Sequence, residues 1–314
     1  MSVLSKTYFH DEKAAFAHLE GVLWANGRSC PHCGVLDRSG RLEGVKDKKG
    51  RERLGLWKCY ECKKQFTVRV GTVFESAHIP LHKMLQAVYL LTCSKKGCSA
   101  HQMHRILQIT YKSAWFLCHR IREAMRPTEL TPMGGGGRGV EVDETFFGFQ
   151  AGANSKTQRW AYQFRNAVLT LVERGGAARS FHVDGTTVGT LVPILRANIQ
   201  RESNLLTDQA SWYKTIGTEY ASHGTVDHSK SEYARGEIST NTVEGYFSIF
   251  KRGMKGVYQH CSEKHLHRYL SEFDFRYSNR VALGIDDEQR AGKALKGISG
   301  KRLTYRIPNV TAAE

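Results

Sequence analysis

Two aspartates follow short apolar segments that are predicted to be β-strands. Asp143 comes after Val140-Glu141-Val142, and Asp208 comes after Leu205-Leu206-Thr207. Carboxylates at the tips of neighbouring strands can meet and hold two divalent cations about 3.5–4 Å apart, an arrangement that activates a nucleophile at a phosphodiester and stabilises the leaving oxygen. Either aspartate alone could instead be a capping or turn residue. The pair therefore predicts a phosphoryl-transfer site, and the alternative stays open for each member.

A third acidic candidate, Glu244, lies in a segment predicted to be helical over residues 240–257. Apolar side chains follow one face of that helix, while Glu244 and Lys251 share the other face. A carboxylate one turn into the helix, with a lysine two turns further on, could complete a metal site and contact a phosphate. The competing interpretation is a capping box, because Glu244 follows Asn241 by three residues.

Four cysteines near the N-terminus form two CxxC pairs, Cys30 with Cys33 and Cys59 with Cys62. Each CxxC turn can place two sulfurs on one side of a zinc ion, and thiolates suit tetrahedral zinc. The 25 residues between the pairs exceed the spacing of about 15–20 that is usual for zinc ribbons, so a longer hairpin is expected between them. We predict a closed, structural zinc site; a redox-active CxxC pair is the alternative.

The balance of charge is strongly positive. Forty-six Lys and Arg residues against 30 Asp and Glu residues give a formal net charge of +16. Such a field attracts polyanions, so nucleic acid is the expected partner, with a merely basic protein or one that docks on anionic membranes as alternatives. No run approaches the roughly 18 apolar residues of a membrane span, and the first residues contain no apolar signal segment. We therefore expect a cytoplasmic protein with no membrane partner.

Two predicted helices, over residues 99–107 and 111–125, are separated by a short turn. This spacing, with polar side chains on the second helix, is typical of a helix-turn-helix DNA-binding motif. An ordinary helical hairpin is the alternative. The lysine and arginines of the second helix are predicted to contact phosphates, and its serine and histidine to reach base edges. These five residues are Lys112, Ser113, His119, Arg120 and Arg122.

Breaks in composition and periodicity divide the chain into modules. An N-terminal helix and zinc ribbon are predicted for residues 1–75, a helix-turn-helix module for 76–130, and a Gly-rich linker for 131–139. Three strands, then alternating strands and helices, then two long helices predict an α/β domain over 140–282, with a mixed sheet flanked by helices. Residues 283–314 are basic with little periodicity and are expected to be a C-terminal tail.

The motifs occur in one order: zinc ribbon, helix-turn-helix, then three short segments around the acidic residues. The segments are Val140-Glu141-Val142-Asp143-Glu144-Thr145, Leu206-Thr207-Asp208 and Thr240-Asn241-Thr242-Val243-Glu244-Gly245-Tyr246-Phe247-Ser248. From about residue 9 to residue 279 the chain resembles bacterial insertion-sequence transposases of the DDE class with an N-terminal zinc ribbon. The third segment, with its aromatic pair, is the most specific part of the resemblance. The resemblance implies an RNase H-like fold and a catalytic role for residues 140–282.

The resemblance also implies a catalytic triad of Asp143, Asp208 and Glu244 that binds Mg²⁺ or Mn²⁺. The interval of 36 residues between the last two fits such enzymes. Glu141 shares a strand face with Asp143 and could take its place. Zn²⁺ is implied at the four cysteines. The residues that match positions around the triad, and are expected to support it, are Asn241, His228 and Lys251.

The implied reaction is metal-dependent cleavage at the ends of an insertion sequence, followed by attack of the freed 3′-OH on target DNA, without a covalent protein–DNA intermediate. Double-stranded DNA is the implied partner, both as terminal inverted repeats and as target, with a homodimer or higher oligomer pairing the two ends. The implied location is the bacterial cytoplasm, in association with the nucleoid. Two rival hypotheses are a catalytically silent DNA-binding regulator and a nuclease that cleaves without strand transfer.

Overall fold

The computed structural model describes residues 2–150, 165–227 and 234–304. The chain divides into two compact units, which we name the ribbon unit and the sheet unit. The ribbon unit comprises Met1–Cys93, Cys98–Met125 and Asp287–Glu314, and the sheet unit comprises Ser94–Gly97 and Arg126–Asp286. None of the described helices is long and apolar enough to cross a membrane.

The ribbon unit begins with a helix and a small antiparallel sheet. Helix α1 (Glu12–Leu23) starts after Asp11, whose carboxylate accepts a hydrogen bond from the Ala14 backbone N–H at 2.7 Å. A long hairpin connects the first two strands, as the spacing of the cysteine pairs predicts. The strands, in their order across the sheet, are β1 (Ser39–Leu42), β2 (Leu56–Cys59) and β3 (Gln65–Phe66).

Three helices follow in the ribbon unit. They are α2 (Leu81–Cys93), α3 (Ala100–Leu107) and α4 (Tyr111–Met125). Glu12 of α1 caps the start of α2, since its two carboxylate oxygens accept hydrogen bonds from the backbone N–H groups of Leu81 at 2.8 Å and His82 at 3.1 Å. The Ser99 hydroxyl accepts from the Gln102 N–H at 3.1 Å and so caps α3. A tight turn joins α3 to α4, as the sequence predicts.

The sheet unit contains a mixed sheet of five strands in the order β6-β5-β4-β7-β8. Strands β4, β5 and β6 pair antiparallel, while β4 with β7 and β7 with β8 pair parallel. Helices flank the sheet, so the predicted α/β architecture is confirmed. The strands are β4 (Gly139–Phe147), β5 (Asn166–Glu173), β6 (Ala178–Val183), β7 (Asn204–Asp208) and β8 (Ser222–Val226), with a small hairpin of β9 (Ala234–Arg235) and β10 (Ile238–Ser239).

Each face of the sheet carries its own helices and its own apolar core. Side chains alternate along β4, so that Val140 and Val142 face one core while Glu141 and Asp143 point to the other side. Helices α5 (Val188–Asn198) and α6 (Ser211–Gly217) cover the first face. Helices α7 (Asn241–Gly253), continued by a π-helical turn over Met254–Tyr258, and α8 (Glu263–Ser278) cover the second. The acidic face of β4 is therefore the face that meets α7.

The glycine run that precedes β4 is packed, although its composition predicts a linker. Gly134 and Gly135 are buried and have φ values of +81° and +83°. A Cβ atom on Gly134 would lie 2.1 Å from Ser203 Oγ, and one on Gly135 would lie 1.9 Å from Gln200 Oε1. Only glycine combines this left-handed backbone with such a close approach. The Gly135 N–H also donates to Ser203 Oγ at 2.9 Å, which ties the run to the start of β7.

The segment expected to be a basic tail contains a helix. Helix α9 (Asp287–Lys296) begins with two acidic residues and ends with two lysines, as the helix dipole favours. Ala291, Ala294 and Leu295 are buried, and α9 packs against α1 and α2 within the ribbon unit. The apolar positions are mostly alanine, which explains why the periodicity is weak in the sequence.

Candidate functional site

Asp143 and Asp208 lie on neighbouring parallel strands and on the same face of the sheet. Glu141 of β4 pairs with Leu206 of β7. Because side chains alternate with a period of two, the next residues on that face are the two aspartates, and the register extended by one step brings them level. Backbone N–H groups orient both carboxylates: Glu144 N–H donates to Asp143 Oδ1 at 2.7 Å, and Ala210 N–H donates to Asp208 Oδ1 at 3.0 Å.

Glu141 anchors the start of α7 beside the first aspartate. Its fully buried carboxylate accepts hydrogen bonds from the backbone N–H groups of Thr242 at 2.8 Å and Val243 at 2.9 Å, and from the Thr242 hydroxyl at 2.8 Å. Arg174 pairs with the same carboxylate at 2.7 Å. These four donors occupy both oxygens of Glu141, which argues against the expectation that this residue could replace Asp143 as a metal ligand.

Glu244 lies in the first turn of α7, on the acidic face of the sheet. Its Oε1 accepts a hydrogen bond from the Thr240 hydroxyl at 2.9 Å, and the helix begins at Asn241 with Thr240 as its N-cap residue. Glu244 is thus the fourth residue of the helix rather than the third, and its carboxylate accepts from the hydroxyl of the N-cap side chain. The capping-box interpretation, which requires a carboxylate at the third position bonded to the N-cap backbone, does not describe this geometry.

The three residues predicted to support the triad differ in where the structure places them. Lys251, two turns along α7, is close enough to Asp143 for their charges to interact: burial lowers the pKa of the lysine, and the Asp143 carboxylate opposes that change. Asn241 is exposed at the first position of α7. His228 lies outside the described residues.

The three carboxylates share one face of the sheet without converging on one point. In the described ranges, the sole group of three or more potential metal ligands whose atoms lie within 4.8 Å of one another is the cysteine set. Two cations about 3.5–4 Å apart do not require all their carboxylates to be so close, because each ion takes its own ligands. Half-buried Asp143, Asp208 and Glu244 therefore form a donor set of the chemistry that Mg²⁺ or Mn²⁺ prefers.

A fourth carboxyl group, that of Glu144, lies on the opposite face of the sheet from the two aspartates. Burial raises its pKa to about 8; the hydrogen bond that Tyr213 donates at 2.9 Å opposes this, and the charges of Asp143 and Asp208 add to it. Its partner Tyr213 is fully buried in α6. From the sequence, Glu144 is only a neighbour of Asp143, since its pairing with Tyr213 depends on how α6 packs against the sheet.

The four cysteines form a compact cluster in the ribbon unit. The Cys30 and Cys62 Sγ atoms are 3.7 Å apart, as are those of Cys33 and Cys59. A tetrahedral zinc ion with Zn–S bonds of about 2.3 Å requires sulfur atoms roughly 3.8 Å apart, so the spacing fits zinc. His32, inside the first CxxC turn, contacts the Gln65 carbonyl at 3.3 Å instead of joining the cluster. The arrangement favours a closed Cys₄ site over a redox pair.

The residues predicted to contact DNA divide into exposed and buried groups. Lys112 is exposed and Ser113 is half-buried, both in the first turn of α4. The side chains of His119, Arg120 and Arg122 are only 1%, 8% and 2% exposed. Their burial argues against an exposed recognition face on the second half of α4, because that half packs inside the ribbon unit.

The solvent-facing side of the helix pair is provided largely by α3. Gln102 and Arg105 are exposed there, and His101 stacks on Tyr111 of α4 with ring centroids 4.3 Å apart. Ile106 on the same helix is 48% exposed. This surface is not predicted from the sequence, because the helix-turn-helix motif places recognition on the second helix.

Two family models match the chain. Residues 134–278 match the ISXO2-like transposase domain, and residues 10–65 match the transposase zinc-ribbon domain. The first match contains Asp143, Asp208 and Glu244, and the second contains all four clustered cysteines. The chain belongs to this zinc-ribbon family of insertion-sequence transposases with a DDE domain. No curated protein matches this transposase.

A solved structure also resembles part of the transposase. It is a chain of the cryo-EM structure of the simian T-cell lymphotropic virus intasome in complex with PP2A regulatory subunit B56 gamma. The two are 15% identical with a TM-score of 0.28, and the match covers 55% of the transposase and 63% of that chain, less than two thirds of its length. A TM-score this low gives no basis for an inference about activity.

A basic cleft of about 640 Å³ adjoins the C-terminal half of α7 in the transposase. Lys251 and Lys255 line it from the helix, and Arg165 and exposed Phe149 line it from the strand ends. The Arg165 guanidinium lies 5.5 Å from the centre of the Phe149 ring. Lys251 is the one member of this group predicted from the sequence, because the pairing of β4 with β5 brings Arg165 and Phe149 together.

Proposed function

We propose that this transposase catalyses metal-dependent cleavage and strand transfer of DNA at the ends of an insertion sequence. The observation that carries the proposal is the placement of Asp143, Asp208 and Glu244 on one face of the sheet of a DDE transposase domain. Lys251 adds a positive charge beside Asp143. A site of this composition suits a reaction in which a phosphodiester binds near divalent cations.

In this proposal Asp143 and Asp208 are the principal ligands of Mg²⁺ or Mn²⁺, and Glu244 completes the set. Bound Mg²⁺ or Mn²⁺ would lower the pKa of an attacking water and stabilise the leaving oxygen. Asp143 and Asp208 each present a carboxylate that a backbone N–H already orients. Glu141 is a positioning residue, since its hydrogen bonds hold the turn of α7 that carries Glu244. Lys251 would contact a phosphate of the bound strand.

The ribbon unit is proposed to bind the terminal inverted repeats. A structural Zn²⁺ at the four cysteines would stabilise the ribbon, and exposed Lys112 and half-buried Ser113 would contact DNA together with the solvent-facing side of α3. Two DNA ends must be brought together for strand transfer, so we expect a homodimer or higher oligomer on DNA. Native mass measurement of the complex with end DNA checks this: one protomer holding both ends would contradict it. The proposed location is the bacterial cytoplasm, on nucleoid DNA.

The central experiment measures cleavage and joining of labelled element-end DNA with Mg²⁺. Asp143→Asn and Asp208→Asn are expected to lower the rate by a factor on the order of 10³ or more, while DNA binding persists. Asp184→Asn is the matched control, because Asp184 is an exposed carboxylate in the sheet unit and is not among the proposed ligands. Its activity should equal that of the wild type.

Three outcomes would contradict the proposal. Unchanged activity in either aspartate variant would remove that residue from the triad. A wild-type protein that binds end DNA but never cuts it would support the catalytically silent regulator. Cleaved ends that are never joined to target DNA would support a nuclease.

A further inference from the structure

Three parts of the ribbon unit meet around the buried half of α4. The turn that follows β3 pairs with the segment after α9: Gly300 N–H donates to the Gly71 carbonyl at 2.9 Å, and Thr72 forms a β-bridge with Ser299. The segment after α9 also reaches α4, where Lys301 Nζ donates to the Ala124 carbonyl at 3.1 Å. Ala124 lies one helical turn after Arg120. The meeting point therefore brings Arg120 beside residues from both other segments.

Arg120 is buried there with two guanidinium nitrogens that lack hydrogen-bond partners among the described residues. Its side chain is 8% exposed, and its Nε and Nη1 atoms are inaccessible to water and have no hydrogen-bond partner in the described part of the chain. On α4, the guanidinium carbon of Arg120 lies 4.8 Å from the centre of the Phe116 ring. A cation-π contact does not satisfy N–H donors in the guanidinium plane, so burial of this charge is costly as it stands.

The surrounding charges increase that cost. Burial lowers the pKa of Arg120, and the positive charges of Arg69 and Arg302 lower it further, while Glu75 opposes them. Glu75 is already engaged, because its carboxylate accepts from the Gly71 N–H at 2.8 Å and lies 3.7 Å from Arg302. Arg120 and Arg302 thus share one carboxylate, Glu75.

Arg69, unlike Arg120, donates hydrogen bonds to backbone carbonyl groups. The Arg69 guanidinium donates to the carbonyl oxygens of Phe74 and Ala77, which fixes its position. Glu12 also acts on Arg69, although the Glu12 carboxylate is engaged by the start of α2. Arg69 is therefore a positive charge held in a fixed position beside Arg120.

We propose that Arg69, Arg120 and Arg302 form an oxyanion site that binds a phosphate group. Phosphate oxygens would accept hydrogen bonds from the N–H groups of Arg120 that lack partners. The negative charge of the phosphate would offset the repulsion among the arginines. Arg302 is 65% exposed and only loosely held by Glu75 at 3.7 Å, so it can move to admit the anion. The phosphate could belong to a DNA backbone or be free in solution. The site itself does not depend on the proposed cleavage chemistry; only the DNA source rests on the proposed function.

The first arm of the test measures Tm in phosphate and in chloride of equal ionic strength. We expect phosphate to raise the Tm of the wild type by about 2–4 °C in a saturable manner. Arg120→Met, which keeps the length of the side chain, should lose this rise while its Tm in chloride stays equal or increases. Arg302→Met should lose part of the rise in Tm. Because the Arg302 side chain is exposed, this variant should fold as the wild type does. Lys48→Met, an exposed lysine of the ribbon hairpin, is the charge-matched control and should respond as the wild type does.

The second arm identifies the source of the phosphate. If it is a DNA backbone, Arg120→Met should reduce by about one the slope of the logarithm of DNA affinity against the logarithm of salt concentration. An unchanged slope, with the phosphate effect on Tm present, assigns the site to a free phosphate. Absence of a saturable phosphate effect in the wild type, or an equal effect in Arg120→Met, would overturn the proposal. A loss of DNA cleavage without these changes would bear on the triad and not on this site.

Discussion

At the residue scale, Asp274 shows how burial sets a carboxyl group apart from its sequence neighbours. It lies in α8 beneath the sheet, where Tyr246 Oη donates at 2.6 Å and the Ser180 hydroxyl and N–H donate at 2.7 and 2.8 Å. Desolvation raises its pKa from the ordinary 3.8 to about 6, and the hydrogen bonds from Tyr246 and Ser180 only partly oppose that change.

This pKa predicts a specific pH dependence of stability. Because the folded state holds the proton more tightly than the unfolded state, the contribution of Asp274 to stability is present below pH 4 and is lost as the pH rises through about 6. Wild type should therefore lose stability relative to Asp274→Asn between pH 4 and pH 7. The measurement is the Tm difference between the two proteins across that range, with Asp184→Asn as the control for removal of one carboxylate. A difference that does not vary with pH would sink the prediction.

At the element scale, the position of α7 depends on a carboxylate from another element. Glu141 of β4 caps the helix and pairs with Arg174, which in turn donates to the Ser239 carbonyl at 3.1 Å and the Ser239 hydroxyl at 2.8 Å. Glu244 and Lys251 both project from α7. The placement of two proposed site residues therefore rests on one buried ion pair.

Glu141→Gln should destabilise the protein by roughly 3 kcal/mol, the lower end of the range for breaking a buried pair, because the Arg174 side chain remains partly hydrated. Strand cleavage should fall with it, since the first turn of α7 loses its anchor. Denaturant unfolding measures the stability. The matched control is Glu173→Gln: Glu173 pairs at 2.6 Å with Arg138, whose side chain is 64% exposed, so its loss should cost less than about 1 kcal/mol. Equal losses in the two variants would contradict the anchoring role.

At the scale of the whole molecule, the two units predict separable defects. Zinc binding at Cys₄ sites supplies on the order of 10 kcal/mol to modules that are too small for their own core. Cys33→Ser should therefore abolish zinc binding and binding of end DNA, while the sheet unit keeps its cooperative unfolding. Metal analysis and DNA binding measure the two effects, with Cys93→Ser on α2 as the control. Retention of zinc in Cys33→Ser would refute a four-cysteine site.

Local patterns in the sequence predicted much of the fold and part of the candidate site. The two cysteines of each CxxC pair are close together in sequence, so their spacing predicts the metal cluster. Clear periodicity predicted the two long helices at the end of the α/β domain, which are α7 and α8, and β4 with its acidic face follows from the alternation of its side chains. The strand pattern also predicted that Asp143 and Asp208 would lie near one another, and the register of β4 with β7 agrees with this. Asp143 is not at a strand tip, however, because β4 continues to Phe147.

Only the tertiary structure decided which polar side chains face solvent and which face another element. The sequence places Arg120 and His119 on a polar helix, yet the second half of α4 is covered by chain segments far away in sequence, and those residues are buried. Glu141 and Glu144 lie within two residues of Asp143, yet Glu141 caps α7 and Glu144 accepts a hydrogen bond from Tyr213, so the packing of these elements determines their roles. Periodicity shows which residues share a face, but the partner of each face is set by long-range contacts, which a local pattern does not contain.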